Sequence, residues 1–144
     1  MTDSAASRAV PDESRQIGLP HRDVVPGPWD RPPLDVARRV VELAEDKKAA
    51  EILLLELTGL TTVADYFVIC SGGSERQLDA IADGVVEGLR ELGIRPIGRE
   101  GTPASHWILL DFGAVIVHVF TPPEREFYSL EKHWAEAKTI LRVQ

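Results

Sequence analysis

The chain has 144 residues, 44% apolar and 27% charged, a balance that excludes a wholly disordered protein and fits a single globular domain. Sixteen Lys and Arg face 23 Asp and Glu, for a formal net charge of −7. A surface this acidic repels a phosphate backbone and has few cations to displace its counterions, which argues against sequence-blind nucleic-acid binding; if the protein works near nucleic acid, it is expected to do so through a basic protein partner.

Residues 1–33 hold six of the ten prolines and no periodic apolar pattern, so they read as a disordered or loosely docked arm. Asp3, Asp12, Glu13, Asp23 and Asp30 distinguish that arm from an acid-poor organelle transit peptide. Residues 34–144 carry 12 basic and 18 acidic side chains, so a net −6 belongs to the expected folded domain. No apolar stretch approaches the ~20 residues of a membrane span, and no signal-peptide core follows Met1. The expected location is cytoplasmic.

Asp35 is the expected N-cap of a first helix, whose apolar stripe is Ala37, Val40, Val41 and Ala44. Ile52-Leu53-Leu54-Leu55 is a continuous apolar run that suits a strand covered on both faces. A second β-rich run, Tyr66 to Cys70, ends at Ser71-Gly72-Gly73-Ser74. Cys70 is the only cysteine, which excludes an internal disulfide and reads as a reduced, buried small hydrophobe.

Ser74 starts the clearest helix, striped by Leu78, Ile81, Ala82, Val85, Leu89 and Leu92 and closed by a left-handed Gly93. Ile94 to Gly98 follows as a short strand, and strand–helix–strand order predicts parallel pairing through a right-handed crossover. Trp107 to Asp111 and Val115 to Phe120 are expected to form a hairpin around Phe112-Gly113-Ala114. Glu124 to Lys138 reads as a closing helix or two short ones, begun at Pro122 or Pro123. The resulting fold class is α/β, with a mixed five-stranded sheet in a sandwich with helices.

Ser71 to Ser74 joins a strand to a helix N-terminus, where backbone amides can hold phosphate and where nucleotidyltransferases carry a Gly-Gly/Ser turn. That chemistry also needs paired carboxylates on a following strand for magnesium. Asp79 and Asp83 are instead four apart on a helix, and Asp111 stands alone on its strand. A tight structural turn is therefore the expected role, with a divergent nucleotide-binding or transferase domain as the alternative. His106, His118 and His133 have no metal-ligand spacing, so no metal site is expected. The hairpin is apolar on both faces. Trp107 either belongs to an exposed binding patch or lies beneath the closing helix with Phe127, Tyr128, Leu130 and Trp134.

Several blocks agree in order and spacing: Ala64 to Gly72, Gly98 to Gly101, Trp107 to Gly113, Val117 to Phe120, and Arg125 to Glu131 with Trp134. Together they resemble the ribosomal silencing factor family, RsfS or Iojap-like, best over residues 34–134. The resemblance implies a nucleotidyltransferase-like sandwich without the catalytic carboxylates, no enzymatic activity and no cofactor. It also implies binding to ribosomal protein L fourteen on the large ribosomal subunit. Such binding obstructs small-subunit docking and lowers translation when nutrients are scarce; organellar relatives are associated with large-subunit maturation.

By the same resemblance, the binding patch centres on Trp107, Leu110, Asp111 and Phe112, with Glu100 and His118 nearby. Direct contact with nucleic acid or membrane is not expected. The implied state is a monomer on the ribosome, with a homodimer as the alternative in free solution. Ala114 departs from the family, where an acid often follows the hairpin glycine.

Overall fold

Ile52, Leu53, Leu54 and Leu55 alternate between two separate cores, which is why that stretch is apolar throughout. They belong to β1 (Ala50–Glu56), one of six strands in a single sheet. The others are β2 (Tyr66–Ser71), β3 (Gly98–Glu100), β4 (Trp107–Asp111), β5 (Val115–Phe120) and β6 (Lys138–Val143). The computed structural model describes residues 30–144. The expected N-terminal arm lies outside the described residues except for its last four positions.

The sheet order is β3-β4-β5-β2-β1-β6, and only β2 and β5 pair in parallel. One face carries Val68, Cys70, Ile108, Leu110, Val117 and Val119, covered by two long helices. These are α1 (Pro33–Asp46) and α2 (Glu75–Arg90). The opposite face carries Phe67, Ile69, Trp107, Leu109, Ile116 and Phe120. It is covered by Leu57, Val63 and Ala64 of the β1–β2 connection and by the short α3 (Pro122–Tyr128) and α4 (Leu130–His133).

Four expectations need correcting. The sheet has six strands, because Lys138–Val143 pairs antiparallel with β1 instead of ending a helix. Trp134 closes α4, and the branched residues Thr139, Ile140 and Val143 then favour extended chain. Ile94 caps α2 instead of opening a strand: its N–H donates to Leu89 O at 2.9 Å while that of Gly93 reaches Arg90 O at 2.8 Å. This is a Schellman closure, with Ile94 buried as its apolar contact, so β3 starts only at Gly98.

The parallel partner of β2 is β5, not the strand after α2, because the β4–β5 hairpin occupies the space between β2 and β3. Asp35 lies inside the first turn of α1; Pro32 is the N-cap and Pro33 fills the position where a missing N–H costs nothing. The remaining elements stand where the residues placed them. Val36, Ala37, Val40, Val41 and Ala44 bury one side of α1, and Leu78, Ile81, Ala82, Val85 and Leu89 bury one side of α2. The two helices touch closely at Gly88, where a Cβ would come within 2.3 Å of Leu43 Cδ2.

Candidate interaction surface

Trp107 begins β4 directly after a turn that fixes its backbone. Thr102 and Ser105 cap one another around the 3-10 turn Pro103–Ser105, and His106 follows at φ +66°. Gly101 is held at φ +83°, and a Cβ there would sit 2.0 Å from Trp107 O. Only glycine fits. The indole stacks on Phe120 at 4.7 Å and tilts against Tyr128 at 4.4 Å, leaving Trp107 4% exposed.

The indole N–H donates to Nδ1 of the fully buried His118 at 3.3 Å, and Phe67 meets the imidazole edge-on at 4.6 Å. An aromatic cluster thus joins β2, β4 and β5 to α3. Of the two arrangements open to Trp107, the structure adopts the covered one.

Leu110 and Phe112 face the other core, beneath the long helices. Asp111 is 6% exposed, and its Oδ1 accepts the Gly113 N–H at 2.8 Å, which closes the hairpin turn. Glu100 is half-buried on β3, opposite Leu109. The structure therefore brings Trp107 and His118 into contact, sends Leu110 and Phe112 to the opposite face, and leaves Asp111 and Glu100 near the β3 edge.

The large apolar residues on the surface are different ones. Phe127 is 76% exposed and Ile97 is 74% exposed. Within α3 the pattern inverts what composition suggests: Arg125 is buried and Phe127 is in solvent. The Arg125 guanidinium donates to Ser71 Oγ at 2.8 Å, to Glu51 O at 2.7 Å and, through Nε, to Glu131 at 2.9 Å. Arg125 and Tyr128, three apart, face the sheet, which turns Glu124 and Phe127 outward. That i, i+3 pairing was the available sequence signal, hidden because an arginine is seldom core and a phenylalanine seldom exposed.

Beside Arg125 lies an open cleft of about 480 Å³ whose charged lining is Glu51, Arg125, Glu126, Glu131, Lys132 and Arg142. Its cations and carboxylates balance. Behind it, burial pushes the Cys70 thiol up to about 12 from its ordinary 9.0, an effect that the positive charge of Arg125 only partly offsets. Cys70 is accordingly a neutral thiol.

At the Ser71-to-Ser74 turn, the two glycine amides and that of Gln77 already have partners. Gly72 N–H donates to Phe120 O at 2.8 Å, Gly73 N–H to the Gln77 side chain at 2.7 Å, and Gln77 N–H to Ser74 Oγ at 3.1 Å. Gln77 Nε2 in turn reaches Lys48 O at 2.9 Å, so an incoming anion would have to displace a stitched side chain. Asp79 and Asp83 both receive Arg99 at 3.2 Å. His106 approaches Glu75 at 3.2 Å. Among the described residues no three His, Cys, Asp or Glu gather as a metal site, and no helix is long and apolar enough to cross a membrane.

The family described as "Ribosomal silencing factor during starvation" matches residues 30–144, which is all of the described chain. The chain belongs to this family. It is 45% identical over 93 residues to the ribosomal silencing factor RsfS of Bacillus subtilis, covering 65% of this chain and 79% of that one. It is 35% identical over 98 residues to a mouse protein named for mitochondrial assembly of the ribosomal large subunit, covering 66% of this chain and 43% of that one. A crystal structure of a Chromobacterium violaceum protein superposes with a TM-score of 0.71 at 32% identity, covering 73% of this chain and 88% of that one. The α/β sandwich around Trp107 is therefore the fold of solved silencing-factor relatives.

Proposed function

We propose that this silencing-factor family member is a cytoplasmic translational repressor. It binds the large ribosomal subunit through ribosomal protein L fourteen and, seated there, blocks joining of the small subunit, lowering translation under nutrient limitation. A contribution to large-subunit maturation accompanies this role, by analogy with the mouse relative named for large-subunit assembly. Residues 34–144 act as the ribosome-binding unit and residues 1–33 as an appended arm.

The observation that carries this reading is the family match across the entire described domain. The net −6 of residues 34–144 supports it as well, since an acidic surface is steered toward a basic ribosomal protein and away from bare RNA. The binding region is built on Trp107, Leu110, Asp111, Phe112, Glu100 and His118. Trp107 and His118 are interior on one side of the sheet, and Leu110 and Phe112 are interior on the other, beneath the long helices, so the part of all four is to fix the shape of the domain, while the contact itself comes from side chains on its surface. The protein is a monomer on the ribosome and acts without a cofactor or catalytic step.

The test is sedimentation of the purified protein with isolated large subunits, followed by addition of small subunits. The reading requires co-sedimentation and a reduced yield of whole ribosomes. Tight binding with unaltered joining would overturn the blocking mechanism while retaining the partner.

A further inference from the structure

We infer that Phe127, framed by Glu124 and Glu126 on α3, is the exposed anchor with which this protein grips a basic protein surface that offers an apolar cleft. The inference rests on the ribosome-binding reading and names the side chains that make the contact. Its geometry starts from Arg125, whose bonds to Ser71 Oγ, Glu51 O and Glu131 pin α3 on the sheet. With Arg125 turned inward, Phe127 points outward and is 76% exposed.

Phe127 does not dangle. Its ring meets Tyr128 edge-on at 5.0 Å, and Tyr128 rests on Trp107 at 4.4 Å, so an aromatic chain runs from the buried Trp107–His118 pair to the surface. A braced aromatic loses little rotational freedom on docking, which is the property of interface anchors.

Charge selects the class of partner. Arg125 and Glu131 neutralise each other at 2.8 Å. The other charged side chains of α3 and α4 are Glu124, Glu126 and Glu131's neighbour Lys132. Glu124, three residues before Phe127, and Glu126, immediately before it, give the anchor an acidic collar on one side; on the cleft side Glu126 shares its lining with Lys132 and Arg142, so the excess negative charge comes from Glu124 and from the net −6 of residues 34–144. Such a collar complements a cationic surface and repels nucleic acid and other acidic proteins.

The experiment measures binding of full-length wild type, Phe127→Ala, a Glu124→Lys/Glu126→Lys double variant and Ile97→Ala to isolated large subunits, with a thermal melt of each. Phe127 is in solvent, so Phe127→Ala is expected to melt with wild type yet bind at least about tenfold more weakly. The charge-reversal variant is expected to bind more weakly with a smaller salt dependence, and Ile97→Ala, equally exposed elsewhere, to bind as wild type.

Wild-type binding that survives Phe127→Ala unchanged would overturn the anchor while leaving the ribosome reading intact. No wild-type binding at all would remove that reading and the anchor with it. Loss of a concentration-dependent dimer in Phe127→Ala, with subunit binding retained, would assign the patch to a second copy of this chain and overturn the proposal. So would equally tight binding of bare large-subunit RNA.

Discussion

The indole N–H of Trp107 donates to Nδ1 of His118 at 3.3 Å, and each residue sits inside a wall of aromatic rings. Because Nδ1 accepts, the imidazole carries no proton there, and protonating that nitrogen would break the bond. A residue that resembles a surface hot spot by type is here a fixed part of the interior.

Trp107→Phe keeps most of the packing but removes the donor to a buried nitrogen, and is expected to cost about 1–3 kcal/mol. Trp107→Ala also opens a cavity among Phe120, Tyr128 and His118, with an expected loss of about 3–5 kcal/mol. Urea unfolding of both variants checks the ranking. Loss of ribosome binding by Trp107→Ala alone therefore reports on folding as well as on contact.

Arg125 joins α3 to the start of β1, the end of β2 and α4. Arg125→Met is expected to cost about 1–3 kcal/mol, because Ser71 Oγ and the carbonyl of Glu51 lose their donor together, while the more exposed Glu131 is taken up by water. Arg125→Lys is expected to recover little, since one ammonium cannot reach three partners in a fork geometry. Glu51 sits at φ +50° beside a register shift in β1, a strained backbone that the guanidinium bond helps to hold. Chemical denaturation read by tryptophan fluorescence would compare the variants.

Cys70 gives a pH prediction of definite sign. Its folded value of about 12 lies above the ordinary 9.0, so the unfolded chain gives up the proton first. The associated stability is complete below 9.0 and is lost as pH climbs toward about 12. Through that window the loss approaches about 1.4 kcal/mol per pH unit from this group alone. Cys70→Ala should flatten this part of the stability curve, although its cavity lowers the curve as a whole. At pH 8 the native thiol should resist alkylation and react only after unfolding; prompt native labelling would contradict the burial.

Gly101→Ala combines an unfavourable φ of +83° with a Cβ 2.0 Å from Trp107 O, which is backbone and cannot swing aside. A loss of more than about 1–3 kcal/mol is expected, with the melting temperature as the readout. Gly59→Ala, also at positive φ but with open space around it, is expected to cost less. Equal effects would contradict the steric part of the argument.

Much of the architecture is legible in the sequence, because every central strand is apolar on consecutive residues and both long helices carry one clean stripe. The resemblance to the silencing-factor family is legible as well, through blocks scattered from Ala64 to Trp134. β6 is not, since an edge strand with Lys138, Thr139 and Arg142 on it shows only a diluted apolar pattern. The end of α2 is misread for a local reason: Ile94 is apolar because it folds back on Leu89, not because it enters the sheet.

The candidate site is harder to read. Residue type places Phe127 inside and Arg125 outside, whereas a buried oxygen cage around the guanidinium reverses both. That cage is assembled from Glu51, Ser71 and Glu131, positions 74, 54 and 6 residues away, which no local pattern reveals.

The most direct test of the account is the yield of whole ribosomes when small subunits are added to large subunits already saturated with this protein. The account predicts co-sedimentation with the large subunit and a yield that falls as the protein is titrated. An undiminished yield from saturated large subunits would contradict it.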